Sequence, residues 1–428
     1  MIKYNNFKDS EIEGLGLIPS SWKIDRIKNI GSVNGRVGWK ALKASEYVES
    51  GYFFLSTPNI KNVDIDFVNV NFITADRYYE SPEIMLRNGD ILLVKDGSTL
   101  GIVNVVRDLP SHGTVNSSIA VLRIKQLNSI YGYYFLLSNY IQNVIQLKKD
   151  GMGVPHLFQK DINNFEIIIP PILDQTAIAE FLDIKTQAID KKVKLLEKKI
   201  GYYQELRKSL INEAIIKGLD QNIKLKDSNI DWIGQIPKHW EMKRIDSLFK
   251  ERSEKVSDID FKPLSVSMNG IVPQMDGTAK TQNNENRKRV RSGDIVLNSR
   301  SDRRGASGLS NYDGSVSVIS IVITPLSSVN GNYFHHFFKS HVFTEEFYKK
   351  GKGIVDDLWS TKYTIMRTFM IPVPPLNEQE EIAKFLDVKL DTIAKIIANI
   401  QTQIITLKEL RKTLINDVVT GKIKVTKD

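Results

Sequence analysis

One internal repeat constrains this chain more than any other feature. Pro170-Pro171-Ile172-Leu173-Asp174-Gln175 returns as Pro374-Pro375-Leu376-Asn377-Glu378-Gln379, 204 positions later. About 40 residues then align without a gap, and about 19 of 47 positions from Pro170 to Ile216 are identical, far above chance. Ile178-Ala179, Phe181-Leu182-Asp183, Glu205-Leu206-Arg207-Lys208 and Leu210-Ile211-Asn212 all recur. A front motif repeats as well: Ile18-Pro19-Ser20-Ser21-Trp22 answers Ile236-Pro237-Lys238-His239-Trp240, flanked by Asp9-Ser10 with Asp227-Ser228 and Arg26-Ile27 with Arg244-Ile245. Between them, Asn88-Gly89-Asp90-Ile91 answers Ser292-Gly293-Asp294-Ile295, and Gly151-Met152-Gly153 answers Gly351-Lys352-Gly353. The front motifs lie 218 apart and the back ones 204, so the second copy is about 14 residues shorter between Trp22 and Gly89. The chain reads as one scaffold used twice around divergent inserts.

The back block reads as a long helix. Each Pro-Pro pair forces extended backbone and ends what precedes it. Asp174 and Asn377 are expected N-caps, Asn377 with Glu380 resembling a capping box. Apolar residues then step by four and three: Leu182, Ile189, Val193, Leu196, Ile200, Tyr203 and Leu210 in the first block; Leu386, Leu390, Ile393, Ile397, Ile400, Ile404, Leu407 and Leu414 in the second. This is the seam of a left-handed coiled coil, with Arg207 and Arg411 at equivalent seam positions. A helix from about Asp174 to Lys217 would be roughly 66 Å long. Neither helix can bury its stripe alone, so the two are expected to pair within the chain.

The segments from about Trp22 to Ile169 and Trp240 to Val373 are of single-domain size and rich in β-type runs: Asp90 to Val94, Ile119 to Ile124, Asp294 to Leu297 and Val316 to Ile323. Gly89-Asp90 and Gly293-Asp294 mark turns into strands. Tyr131 to Leu147 and Tyr333 to Lys350 read as helices. The expected fold is α+β: two mixed domains with mostly antiparallel sheets (1–169 and 222–373), separated by two helical spacers (170–221 and 374–428) that form an intramolecular antiparallel coiled coil with pseudo-two-fold symmetry.

The net charge of +9 favours an anionic partner. In the first domain the candidate contacts to a nucleic acid are Arg36 and Lys40 beside Trp39, Lys95 and Ser98 in an Asp-Gly-Ser loop, Lys148 and Lys149 before a Gly-x-Gly turn, then His156 and Lys160. In the second they are Arg287 and Arg289 (with Lys288 and Arg291), the loop arginines Arg300, Arg303 and Arg304, then Lys349 and Lys352. Cationic loops with polar neighbours suit phosphate and base-edge contacts.

Enzyme chemistry is hard to find. There is no cysteine, which excludes disulfides, thiolate metal sites and cysteine nucleophiles. No phosphate loop occurs, Gly14-x-Gly16 is a poor dinucleotide fingerprint, and the Asn/Asp-Pro-Pro-Tyr/Phe motif of adenine methyltransferases is missing. His336 and His341 are five apart, the wrong spacing for a helical metal pair, and His335 beside them adds no site. Asp356-Asp357 and Asp64-x-Asp66 have no readable catalytic partner. No apolar stretch approaches the roughly 20 residues of a membrane span, and the N-terminus lacks a signal-peptide core, so a cytoplasmic protein is expected.

The order of motifs (Pro-Pro-x-x-x-Gln, Ile-Ala-x-Phe-Leu-Asp, Leu-Arg-Lys-x-Leu-Ile-Asn, then Ile-Pro-x-x-Trp opening a second unit) resembles the specificity subunit of type I restriction-modification enzymes over essentially the whole chain. The resemblance implies two target recognition domains, each reading one half of a bipartite, asymmetric site in double-stranded DNA. It implies two conserved helices that set the spacer and dock two methyltransferase subunits, which in turn recruit restriction subunits. It places adenine-N6 methylation with S-adenosylmethionine, and ATP and Mg, on those partners, with no cofactor and no catalysis in this chain. Two other readings are a coiled-coil scaffold with two domains for non-DNA ligands and a single-chain modification enzyme. Salt-dependent DNA binding only alongside a methyltransferase excludes the first; methyl transfer by the purified chain would revive the second.

Overall fold

The computed structural model describes residues 4–36, 42–149, 155–275, 285–327, 329–352 and 359–426. The chain folds into two compact units, one of residues 1–197 with 402–428, the other of residues 198–401. Each contains a head, the start of the long helix that follows it, and the end of the other long helix.

Each head is built on a four-stranded antiparallel sheet of the same strand order. In the first the order is Gly31–Asn34, Ile119–Ile124, Ile91–Val94, Val103–Val105. In the second it is Phe249–Glu251, Ser320–Pro325, Ile295–Asn298, Ser307–Leu309. Strand Ile91–Val94 is apolar throughout because both its faces are covered: Ile91 and Leu93 enter one core, Leu92 and Val94 another. Ile295 and Leu297 likewise separate from Val296. Each of these strands is entered through a glycine in the left-handed region, Gly89 at φ +90° and Gly293 at φ +91°. The aspartate after it is buried and clamped by an arginine from a different place in each head. Arg123 holds Asp90 at 2.7 and 2.9 Å. Arg252 holds Asp294 at 2.7 and 3.0 Å, and Thr324, at the position matching Arg123, adds a hydroxyl at 2.8 Å.

The inserts differ as the unequal repeat spacing implies. The first head adds a three-stranded sheet in which Tyr52–Leu55 pairs in parallel with Gly113–Val115 and antiparallel with Asn71–Ile73. The second adds the antiparallel strands Lys255–Val256, Arg287–Val290 and Gly314–Val316 and the hairpin Leu264–Ser267/Gly270–Pro273. Each head closes where the strand after its tryptophan pairs with its last strand: Lys23–Arg26 with Glu166–Ile169, and Glu241–Arg244 with Met370–Val373.

The repeated motifs are the joints between heads and helices. In Ile-Pro-x-x-Trp a tight turn (Trp22 N–H to Pro19 O, Trp240 N–H to Pro237 O, both 3.0 Å) presents a fully buried indole. Its Nε1–H donates to Asp174 (3.3 Å) or Glu378 (2.9 Å) in the first turn of the following long helix. The same rings pack on the glycine that ends the other long helix, Gly421 on Trp22 and Gly218 on Trp240. In Pro-Pro-x-x-x-Gln the glutamine is a buried clasp. Gln175 donates to Pro170 O (2.8 Å) and accepts the Asn128 amide (2.7 Å); Gln379 does the same with Pro374 O (2.9 Å) and Asn330 (2.8 Å). Asn128 and Asn330 in turn cap the head helices Ser129–Leu136 and Gly331–Lys339. Tyr131, on the first of these, donates to Val419 O (3.4 Å); Tyr333, on the second, donates to Ile215 O (3.0 Å).

The long helices run Ile172–Lys217 and Leu376–Val419. They begin three residues and two residues earlier than the capping signals suggest. Pro171 and Pro375 accept the first helical hydrogen bonds, from Gln175 and Gln379, so Asp174 and Asn377 lie in the first turn and not at the caps. Within the first unit the two helices run antiparallel, with Arg411 on Asp190 at 3.0 Å and Lys408 on Glu197 at 3.5 Å. All fifteen expected seam residues are buried or half-buried. Arg207 departs from its expected seam position: it is exposed, whereas Arg411 is half-buried in its ion pair. The expected single head helices are each two: Ser129–Leu136 then Asn139–Lys148, and Gly331–Lys339 then His341–Lys349. Ser138 and Ser340 break the run because their hydroxyls cap the second helix of each pair.

His335 carries a pH dependence. Its Nδ1 accepts the Leu309 amide at 3.0 Å, and burial, with Lys339 and His336 nearby, holds its pKa down at about 3. Between that value and the ordinary one near 6.5 the unfolded chain binds the extra proton. The stabilisation is therefore complete above pH ~6.5 and is lost as pH falls, at about 1.4 kcal/mol per unit. Urea unfolding at pH 7 and pH 5.5 should show wild type losing about 1 kcal/mol more than His335→Gln.

Candidate nucleic-acid interface

The loop leaving the central strand crosses the segment leading to the last strand, in the same way in both heads. In the first, Gly97 N–H donates to Pro155 O (2.9 Å) and Leu157 N–H to Lys95 O (2.8 Å). In the second, Ser301 N–H donates to Trp359 O and Thr361 N–H to Ser299 O, both at 3.0 Å. The bridges Asp96–His156 and Arg300–Ser360 sit at the middle of these crossings. Each of these residues lies 204 positions from its counterpart, so the repeat register runs through the loops although their side chains differ.

Around the first crossing the structure gathers Lys95, Ser98, His156 and Lys160. Lys95 Nζ holds Asp96 Oδ2 at 3.1 Å, and His156 Nδ1 pairs with Asp96 Oδ1. His156 lies edge-on to Phe158 at 4.5 Å, and Lys160 stands over the same ring at 5.2 Å. Ser98, Lys148, Lys149 and Lys160 are exposed. Around the second crossing lie Arg300, Arg303, Arg304, Lys349 and Lys352. Arg300 Nε pairs with Asp302 at 3.2 Å; Arg304 pairs with Glu345 at 3.7 Å and stands over Tyr348 at 5.9 Å. Lys352 is tied to Ser360 by two backbone bonds of 3.2 Å. A polar recess of about 220 Å³ opens here, lined by Arg287, Asn298, Arg300, Arg303 and serines.

Three expected contacts sit elsewhere than a cationic surface. Arg36 is turned inward, its side chain fully buried, 3.9 Å from Glu80 and over the Phe54 ring, and burial lowers its pKa. Arg287 is buried and hydrogen-bonds Ser315 at 2.9 and 3.1 Å; it reaches only the recess wall. Arg289 lies 3.5 Å over the Phe261 ring. Strand alternation and aromatic packing absorb all three, which a reading of charge alone does not register. Trp39, Lys40, Gly151-Met152-Gly153, Gly353 and Asp356-Asp357 lie outside the described residues. Asp96, Asn298 and Ser360 also sit at the crossings; they carry no positive charge, so charge does not mark them, whereas the repeat register continued through the loops does. Among the described residues no group of three or more His, Asp or Glu is placed to hold a metal ion, and no helix is long and apolar enough to cross a membrane.

The chain matches the family model described as the type I restriction modification DNA specificity domain twice, over residues 19–200 and 237–408. It is similar to the type I restriction enzyme MjaVIII specificity subunit of Methanocaldococcus jannaschii, 25% identical over 99% of this chain and 97% of that one. It is similar at the same identity to the putative MjaX specificity subunit of that organism, over 99% and 98% of the two chains. Its fold resembles a chain in a solved type I restriction-modification system (TM-score 0.73, 15% identity, 95% and 99% of the two chains). It also resembles the HsdS subunit of Thermoanaerobacter tengcongensis (TM-score 0.54, 15% identity, 96% and 100%).

Proposed function

Since this chain belongs to the type I restriction-modification DNA specificity family, we propose that its two heads read the two unlike halves of a bipartite DNA site through their crossed loops. The observation that carries this is the crossing itself: one backbone arrangement in both heads, ringed by basic residues, with different side chains at matching positions. A shared frame fixes how each head meets the duplex, and the differing side chains make the site asymmetric.

The catalytic work falls to partners: methyltransferase subunits acting at adenine N6 with S-adenosylmethionine, and restriction subunits using ATP and Mg. Two copies of the methyltransferase suit a helical surface that is itself repeated. Ile184 and Val388 match across the repeat and are 67% and 59% exposed; Leu206 and Leu410 match likewise at 45% and 53%. Apolar side chains left in water at corresponding places on both helices are what two identical partners would cover. The chain works where the chromosome is, in the cytoplasm.

Methylome sequencing of a host expressing this chain with its cognate methyltransferase tests the reading. The expected result is N6-methyladenine in a two-part, non-palindromic motif. Adding four residues, about 6 Å of helix, to each long helix should widen the unread spacer by one or two base pairs and leave both half-sites unchanged. Altered half-sites with an unchanged spacer would refute the spacer role.

A further inference from the structure

We propose that Asp96 and Arg300, which occupy the same place in the two crossed loops, are base-reading residues of opposite hydrogen-bond polarity. Arg300 donates to a guanine edge in one half-site, and Asp96 accepts from an exocyclic amino group, cytosine N4 or adenine N6, in the other. This rests on the DNA-reading function above and assigns it to atoms.

The two residues are equivalent by register and by backbone, each sitting in an isolated bridge to the opposing segment. A residue that merely braced the crossing would need no change of chemistry between copies, because the bracing bonds are made by main-chain atoms in both. The side chains nevertheless differ as far as two side chains can, an acceptor-only carboxylate against a donor-only guanidinium.

Each is also set up for its task. The Arg300 side chain is 38% exposed and is held at Nε by Asp302, an arrangement that fixes the plane of the guanidinium. The main chain before it is pinned by Asn298, whose Oδ1 accepts the Arg300 amide at 3.0 Å. It borders the 220 Å³ recess, which is lined mostly by polar residues, with Leu264, Val266 and Ile319 as its apolar part. A fixed guanidinium plane at a polar recess suits the paired O6 and N7 acceptors of guanine in the major groove. Asp96 is 22% exposed and oriented from both sides, by Lys95 on Oδ2 and His156 on Oδ1. A carboxylate has about four lone-pair sites, so two such bonds leave room to accept an amino group. The neighbouring Lys95 offsets the repulsion between that carboxylate and the phosphates.

The test is methylome sequencing with the full chain and its cognate methyltransferase, comparing wild type with Arg300→Gln, Arg300→Lys and Asp96→Asn. Both Arg300 variants are expected to lose the requirement for guanine at one position of one half-site, discrimination there falling roughly ten- to hundredfold. Asp96→Asn is expected to change the preference at one position of the other half-site only. Spacer and remaining positions stay as in wild type. An unchanged motif, methylation falling equally at all sites, or one variant altering both half-sites would overturn the assignment. A wild type that yields no two-part motif would instead overturn the DNA-reading function on which it rests.

Discussion

Trp240→Ala is expected to destabilise the second unit by about 3–5 kcal/mol, the range for emptying a fully buried aromatic site. The indole is enclosed between the start of one long helix and the end of the other. Its Nε1–H satisfies Glu378, and its ring supports Gly218, whose φ of +76° turns the chain out of the preceding helix. Removing it leaves a void and a carboxylate without that donor. Trp240→Phe should recover most of the packing and lose about 1 kcal/mol for the missing hydrogen bond. Scanning calorimetry measures both; an alanine variant that loses less than about 1 kcal/mol would contradict the joint described above.

Arg252→Ala should cost as much by a different route. Asp294 is buried, and Arg252 gives its carboxylate two charged bonds beside the neutral ones from Thr324 and the Arg291 amide. Taking away one partner of a buried pair typically costs about 3–5 kcal/mol, because the remaining charge has neither water nor counter-ion. The first unit suggests a repair. There the equivalent aspartate is held by Arg123, from the strand position that Thr324 occupies in the second. Adding Thr324→Arg to Arg252→Ala should therefore restore more than half of the lost stability in urea titrations. No recovery would mean that the two clamps are not interchangeable.

The frame was legible in the sequence because its causes are local and repeated. Pro-Pro followed by a glutamine, a tryptophan four residues after an isoleucine, and fifteen apolar residues in heptad spacing each have a single structural use, and the second copy doubles the signal. What the motifs are for was less legible. Nothing in the spacing says that Gln175 reaches back to Pro170 O, or that Asp174 receives the Trp22 indole, since both partners are brought in by tertiary packing. The split of the head helices turned on one serine in each, which periodicity does not see. In the candidate interface, charge located Arg300, Arg303, Arg304, Lys95 and Lys160 at the crossings but could not tell them from Arg36, whose guanidinium packs inside the first head. Burial separates the two kinds of arginine, and burial is a property of the fold.

The way the chain closes each unit bears on how it is made. The second unit is one unbroken stretch, residues 198–401, whereas the first needs residues 402–428 to complete it. Synthesis from the N-terminus therefore delivers a finished second unit while the first still lacks Gly421 against Trp22 and the Val419 carbonyl for Tyr131. The half that emerges from the ribosome first is the half that folds to completion last, and a nascent or truncated chain would expose its unfinished first unit to proteases and chaperones.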